Sequence, residues 1–333
     1  METLINISPI MPYIILIVGF VLLIKGADIF VDGCSSVAKR FNIPTIIIGL
    51  TITAFGTSAP EAAVSITSSI KGANAMAVSN VIGSNIFNLL MVVGVCAIIK
   101  PIKVSDSIIK RDYPINVITS TILVLFCVNF FINGLKPGKI SRLDGILLIV
   151  GIIAYVLLLI KDTIKERKLH SNESEDNSQE LGIGKSIMFI LVGAGGIALG
   201  GNSVVSGASA IARSFNISDT LIGLTIVALG TSLPELVTSI VASTKNENDL
   251  AVGNVVGSNI FNVLFVLGSA AAISPIDLAA ITNPMLAIYD CVVMLAVTVI
   301  INIMILIRKD INRIEGAIMV TLYASYLAYI IIR

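Results

Sequence analysis

Two glutamates lie in the middle of long apolar segments, where a charged side chain is unusual. Glu61 ends the stretch GLTITAFGTSAPE, and Glu235 ends the nearly identical stretch GLTIVALGTSLPE. An ionised carboxylate inside an apolar span costs several kcal/mol unless a partner compensates its charge. Neither glutamate has a lysine or arginine near it in the sequence. The natural partner of each carboxylate is therefore a cation taken from solution.

A proline directly precedes each glutamate and predicts a break in the helix. Pro60 and Pro234 cannot donate a hydrogen bond to the carbonyl four residues earlier. Free carbonyls should therefore lie beside each carboxylate. Hydroxyl groups add further oxygens, from Thr57, Ser58, Thr231 and Ser232. Oxygen ligands of mixed type are typical of sites for hard cations such as calcium and sodium.

A second motif, GSNIFN, also occurs twice, at residues 83–88 and 257–262. The two asparagines of each copy are three residues apart and so lie near one helical face. The polar residues of the two copies are Ser84, Asn85, Asn88, Ser258, Asn259 and Asn262. A single copy of either motif also fits plainer explanations, such as a proline kink with a capping glutamate, or hydrogen bonds between packed helices. Two matched copies of both motifs favour a polar centre that binds ions.

The composition is that of a membrane protein. Of the 333 residues, 56% are hydrophobic and 13% are charged, whereas a soluble domain is about 25% charged. Apolar runs of about 20 residues, long enough to cross a bilayer, recur along the chain and predict an all-α membrane protein of about ten transmembrane helices. The predicted segments are residues 11–38, 43–70, 74–99, 112–133, 142–162, 185–213, 217–244, 248–273, 283–307 and 314–332.

Other features exclude several classes of function. The net charge of +1 does not favour a nucleic-acid partner. The four cysteines are scattered singly, and the only histidine, His170, lies in a polar segment, so neither metal-ligand spacing nor a hydrolase arrangement is present. We therefore expect no enzymatic activity, no cofactor and no obligate protein partner. The expected partners are cations and the lipid bilayer.

The two halves of the chain repeat each other. At a constant offset of 174 residues, GLTITAFGTSAPE matches GLTIVALGTSLPE and AVSNVIGSNIFN matches AVGNVVGSNIFN. The predicted organisation is a five-helix repeat at 1–162, a cytoplasmic polar linker at 163–184 and a second five-helix repeat at 185–333. Because each repeat has an odd number of helices, the second must enter the membrane from the opposite side. Inverted repeats of this kind are common in secondary transporters and place the ion site at the midplane.

Lysine and arginine are concentrated in alternate connecting segments. Placing the N-terminus outside puts most of these residues on the cytoplasmic side, as expected for a membrane protein. The opening residues lack the basic region of a cleaved signal peptide, so the first apolar segment should remain as a helix. We expect a multi-pass protein of the plasma membrane with both termini extracellular.

The paired GTSxPE and GSNIFN motifs resemble the alpha-1 and alpha-2 repeats of the sodium/calcium exchangers, within the cation/calcium exchanger superfamily. The resemblance covers both repeats and implies antiport of calcium for sodium by alternating access. It implies a calcium site made by Glu61, Glu235 and the backbone carbonyls of Thr57 and Thr231. The implied sodium ligands are both glutamates, the hydroxyls of Ser58, Ser84, Ser232 and Ser258, and the carbonyls of Ala54 and Ala228. Asn88 and Asn262, with Asn85 and Asn259, are the central polar residues.

One position departs from that family. Many sodium/calcium exchangers carry an aspartate where this chain has Asn262, so the centre here has two carboxylates. Two negative charges balance one calcium or two sodium ions, and a third sodium would leave the site positive, which leaves the stoichiometry open. Two alternative functions also remain. One is proton-driven calcium antiport, because a buried glutamate can carry protons, and the other is a passive cation channel.

Three further charged residues, Lys25, Asp28 and Asp32, share one face of the first predicted helix. We expect them to pair with one another, and a role in ion entry is the alternative. The second repeat has Asn202 and Ser206 at the positions of the two aspartates.

Overall fold

The structure, a computed structural model, describes residues 10–128, 138–169, 182–217, 226, 228–278 and 284–332. Helices dominate these residues. The α-helices are α1 Met11–Arg40, α2 Thr45–Ile48, α3 Ala54–Thr57, α4 Ala59–Ile70, α5 Asn74–Phe87, α6 Val93–Ile99, α7 Tyr113–Val128, α8 Arg142–Leu169, α9 Ile183–Ser214, α10 Ala228–Thr231, α11 Leu233–Thr244, α12 Asn248–Phe261, α13 Gly268–Ile273, α14 Pro284–Arg308 and α15 Arg313–Ile332. Short π-helical segments at Gly49–Thr53, Asn88–Val92, Ile108–Asp112 and Asn262–Leu267 join or extend several of them.

The described residues contain eight helices that are long and apolar enough to cross a membrane. The helical segments Thr45–Thr57 and Ala59–Ile70 meet at an angle of 47°, and they add a ninth candidate if this bent pair is one span. The prediction of a helical membrane protein is therefore confirmed. Of the predicted segment 217–244, residues 218–225 and 227 lie outside the described residues. The count of about ten helices stays a prediction.

Helix α8 is longer than the sequence pattern predicts. The apolar pattern ends near residue 162, but the helix continues to Leu169, because the segment KDTIKERKL is rich in residues with good helix propensity. The predicted linker at 163–184 therefore begins as helix, and its residues 170–181 lie outside the described residues.

Two short strand pairs qualify the all-α expectation. Strand β1 (Ile102–Lys103) pairs antiparallel with β4 (Asp310–Ile311), and β2 (Lys139–Ile140) pairs antiparallel with β3 (Ile276–Asp277). Each strand has only two residues, too short to be seen as a strand pattern in the sequence. Each pair joins a connecting segment of the first half to one of the second half, so backbone hydrogen bonds link the two halves at both strand pairs.

Helices α1 and α9 pack antiparallel along a seam of glycines. Glycine recurs every seven residues in both, at Gly19, Gly26 and Gly33 and at Gly193, Gly200 and Gly207. A Cβ atom added to Gly200 would lie 2.5 Å from the backbone nitrogen of Leu23. Small residues let helix backbones approach closely within a membrane, and this seam has no room for a side chain.

We expect Gly200→Ala to destabilise the protein by about 1–3 kcal/mol, because the added methyl group overpacks a backbone contact. The matched control is Gly195→Ala in the same helix, where an added Cβ would meet nothing within 4 Å. Thermal unfolding of the two variants in detergent measures the difference. Equal melting temperatures would contradict the close packing of α1 on α9.

Helix α12 lies at the centre of the bundle, and almost all of its side chains are buried. Glycines bring it against the segment that leads to Glu61. A Cβ added to Gly253 would lie 2.7 Å from the carbonyl oxygen of Ile46, and one added to Gly257 would lie 2.9 Å from that of Leu50. The segment that leads to the GTSxPE motif of the first half is therefore held directly against α12, which carries the GSNIFN motif of the second half.

Candidate functional site

Both glutamates lie at helix breaks. Ser58 has φ −80° and ψ 3°, and Ser232 has φ −93° and ψ 3°, so both serines are outside helical geometry. Glu61 and Glu235 follow in the first turns of α4 and α11. The N-terminus of a helix carries a partial positive charge that stabilises a nearby carboxylate. The helix break therefore gives each buried carboxylate a favourable field without a lysine or arginine.

Hydroxyl groups from both halves surround each carboxylate, and both glutamates are fully buried. Glu61 Oε1 accepts hydrogen bonds from Ser84 at 3.3 Å and from Ser232 at 3.0 Å. Glu235 Oε1 accepts from Ser258 at 3.4 Å and from Ser58 at 3.1 Å. Each carboxylate thus binds one serine from its own half and one from the other. The two pockets are equivalent, and neither is complete without both halves.

Four oxygens of this centre have no hydrogen-bond partner among the described residues. They are Oε2 of Glu61, Oε2 of Glu235, Oδ1 of Asn88 and Oδ1 of Asn262, and all are buried. Buried polar atoms are nearly always satisfied, so an unpartnered group of acceptors indicates a missing donor or cation. All four atoms can only accept or coordinate, unless a carboxylate takes up a proton. Two carboxylates and two amide oxygens are suitable ligands for a hard cation.

The amide nitrogens of the central asparagines are already engaged. Asn88 Nδ2 donates to Asn259 Oδ1, and Asn262 Nδ2 donates to Asn85 Oδ1, both at 3.1 Å. Asn85 and Asn259 in turn donate to each other's backbone carbonyls, both at 3.3 Å. Because this network uses the nitrogens of Asn88 and Asn262, their unpartnered Oδ1 atoms are the ends left for a ligand. A π-helical segment begins at each of these two residues, as often occurs at functional sites.

The predicted threonine and alanine ligands are also at the helix breaks. Thr57 is fully buried and Thr231 nearly so, and their carbonyls precede the two non-helical serines. The Ala54 carbonyl already accepts the Ser58 N–H at 3.0 Å and also lies 3.4 Å from the Thr57 hydroxyl, so an ion bound there would compete with that hydroxyl for the second lone pair. Ala228 begins α10, and its side chain lies outside the described residues.

Two asparagines that the sequence reasoning did not single out hold these segments together. Asn254 Nδ2 donates to the Glu235 carbonyl and to Ser239, and its Oδ1 accepts from Thr57 of the other half at 3.0 Å. Asn80 makes the equivalent bonds to Glu61, Ser65 and Thr231. The available signal was their matched position in AVSNVIGSNIFN and AVGNVVGSNIFN. Each links the helix break of one half to the helix break of the other.

We expect Asn254→Leu to destabilise the protein by about 1–3 kcal/mol, because the Thr57 hydroxyl and the Glu235 carbonyl lose a buried partner. The melting temperature in detergent measures this loss. The double variant with Thr57→Val should lose less than the sum of the single variants, since both act on one bond. Additive losses would contradict a direct bond between Thr57 and Asn254.

The site carries a formal charge of −2 from its two glutamates. Within the described ranges, no cluster of three or more histidine, cysteine, aspartate or glutamate side chains could hold a metal ion. A nitrogen- or sulfur-rich centre is therefore not formed by the residues described. The described residues therefore provide two carboxylate–hydroxyl pockets and four unpartnered oxygens, one on each glutamate and one each on Asn88 and Asn262.

The sequence was compared with known proteins. A family model described as sodium/calcium exchanger protein matches residues 11–161 and 185–332. CaxA of Alkalimonas amylolytica is 39% identical over 322 residues, which cover 94% of this chain and 96% of CaxA. The sodium/calcium exchanger MaX1 of Methanosarcina acetivorans is 32% identical over 343 residues, covering 95% of this chain and 97% of MaX1. A solved structure of the sodium-calcium exchanger NCX_Mj matches with a TM-score of 0.80 at 28% identity, covering 96% of this chain and 98% of that chain.

Proposed function

Since the chain belongs to the sodium/calcium exchanger family, whose members are cation/calcium antiporters, we propose that it exchanges calcium for sodium by alternating access. The observation that carries this proposal is the group of four buried, unpartnered oxygens on Glu61, Glu235, Asn88 and Asn262. A calcium ion bound there would neutralise the formal charge of −2. The carbonyls of Thr57 and Thr231 would complete its ligands.

Sodium would occupy the two equivalent pockets beside this centre. Each pocket offers one glutamate Oε1 and two serine hydroxyls, Ser84 and Ser232 for Glu61, and Ser58 and Ser258 for Glu235. The carbonyls of Ala54 and Ala228 are the remaining proposed ligands. Both ions would share the two carboxylates, so that calcium and sodium compete for the same negative charge. Such competition is the basis of exchange.

Alternating access would rest on two inverted five-helix repeats, 1–162 and 185–333, joined by the linker at 163–184. The two carboxylate pockets and the bonds of Asn80 and Asn254 are equivalent at an offset of 174 residues, and this equivalence supports the arrangement. The proposed location is the plasma membrane, and the distribution of lysine and arginine supports an orientation with both termini outside. Secondary transporters with inverted repeats place their ions at the interface of the repeats.

The test is calcium uptake into proteoliposomes loaded with sodium and diluted into sodium-free buffer. We expect uptake that requires the outward sodium gradient and stops when sodium is equal on both sides. Uptake driven only by a pH gradient would contradict sodium coupling, and uptake independent of both gradients would contradict exchange altogether.

Proton-driven calcium exchange is the second candidate. The observation in its favour is that each glutamate is fully buried and has an unpartnered Oε2 atom, to which a transported proton could bind. Protonation would turn Oε2 from an acceptor into a hydroxyl donor. The hydroxyl groups around each glutamate favour sodium instead, because they add neutral oxygen ligands that a proton does not need.

A further inference from the structure

The end of helix α11 is joined to helix α1 by a cluster of three charged residues, Lys245, Asp28 and Asp32. Lys245 Nζ lies 2.7 Å from Asp28 Oδ1 and 2.6 Å from Asp32 Oδ1, and it also donates to the Asp28 carbonyl at 2.9 Å. The expected pairing with Lys25 is wrong, because within the described residues Lys25 forms no ion pair with either aspartate. The partner comes instead from the other half of the chain.

This Lys245 cluster lies beside an apolar contact between the same two helices. Phe30 and Cys34 of α1 belong to a buried apolar group that includes Ala242 of α11, with Val237 and Val241 packed against it. The Phe30 ring also lies against Gly56, where an added Cβ would meet it at 3.3 Å. Helix α1 therefore covers the GTSxPE segment of one half and the helix that carries Glu235 in the other.

The opposite end of the molecule lacks this cluster. At an offset of 174 residues, Lys71 corresponds to Lys245, and it follows α4, the helix whose first turn carries Glu61. Asn202 and Ser206 stand on α9 where α1 has its two aspartates. Lys71 is exposed and makes no ion pair in the described part of the chain. The helices α4 and α9 are also not among the closely packed pairs of the described residues, whereas α1 and α11 are.

We propose that the Lys245 cluster is a one-sided latch that stabilises the state in which α1 closes the ion site at the Lys245 end. This inference rests on the proposed exchange by alternating access. The three side chains are 27%, 43% and 49% exposed, and ion pairs exposed to this degree contribute little individually. The latch therefore shifts the balance between open and closed states a few-fold and still allows α1 to move in every cycle.

The thiol of Cys34 is a native probe of this latch. Cys34 is fully buried on the inner face of α1, two residues from Asp32, so a water-soluble maleimide reaches it only when α1 separates from the helices packed against that face. Labelling of the full-length protein in detergent, with Cys34 resolved from the other cysteines by mass spectrometry, measures that opening. We expect Lys245→Met to raise the Cys34 labelling rate about threefold, whereas the matched control Lys71→Met leaves it unchanged.

Two further variants distinguish the loss of the ion pairs from a general structural effect of replacing Lys245. Lys245→Arg keeps the positive charge and should label Cys34 at the wild-type rate. The double variant Asn202→Asp/Ser206→Asp gives Lys71 the same acidic partners, and we expect it to raise Cys34 labelling by favouring closure of the opposite end. Equal labelling in wild type and Lys245→Met, or equal increases from Lys245→Met and Lys71→Met, would overturn the latch. Sodium-dependent calcium uptake by the wild type, measured in parallel, tests the proposed exchange separately.

Discussion

Glu61→Gln should abolish calcium exchange, lowering the initial rate of sodium-driven calcium uptake by at least about 100-fold. The substitution removes one of two buried carboxylates and leaves a divalent cation with one uncompensated charge. Removing one partner from a buried charge pair costs about 3–5 kcal/mol, and each 1.4 kcal/mol corresponds to about tenfold in binding. Glutamine keeps the size of the side chain and one oxygen, so that charge is the main difference.

The equivalent variant and a distant control sharpen this test. Glu235→Gln should lose exchange to the same extent, because its pocket of two serines matches that of Glu61. The control is Glu315→Gln. Glu315 accepts a hydrogen bond from the Asn312 N–H at the start of α15 and forms an ion pair with Arg308 at 2.8 Å, and neither partner belongs to the central site. Calcium uptake and folded yield are measured for all three. Glu61→Gln protein that folds and exchanges calcium at the wild-type rate would exclude a calcium ligand at this position.

The sequence could identify the residues of the centre but not how they are paired. The positions of Glu61 and Glu235 after prolines predicted a helix break, and the structure bends the first segment by 47° at Ser58. The hydroxyl of Ser58, three residues before Glu61, instead binds Glu235 from the other half. The sequence of one repeat shows which groups are close along the chain. The pairing of each glutamate with a serine of the other half depends on how the two repeats pack together. The ion-binding roles of the two glutamates and the serines stay predictions.

The features that could not be predicted from the sequence are contacts between segments that are far apart in the chain. Asn80 and Asn254 lie in the matched motifs, but the sequence does not show which residue a buried asparagine will bind. Thr57, the partner of Asn254, is 197 residues away in the chain. Lys25, Asp28 and Asp32 illustrate the opposite error. Their helical spacing suggested a local group, but the aspartates bind Lys245, 213 residues beyond Asp32. Spacing on one helix predicts a shared face and says nothing about which chain segment covers that face.

Asn262→Leu should weaken calcium binding by about 10-fold to 100-fold while leaving both carboxylates in place. The side chain presents Oδ1 as an unpartnered oxygen and uses its nitrogen to bond Ser84 and Asn85, each at 3.1 Å. Leucine has a similar volume but supplies neither group. A buried acceptor left without its donor costs about 1–3 kcal/mol, and the ion loses a ligand as well. Calcium titration of purified protein, followed calorimetrically, measures the change.

Asn302→Leu is the matched control for that variant. Asn302 also has an unpartnered Oδ1, but it lies on α14 and forms no bond to the central network among the described residues. Its substitution should leave calcium affinity unchanged. If Asn262→Leu and Asn302→Leu weaken calcium equally, the loss reflects a general effect on the bundle, and the central amide is not a ligand. If only Asn262→Leu weakens calcium binding, the loss is specific to the central network, as expected if the amide oxygen of Asn262 binds the ion.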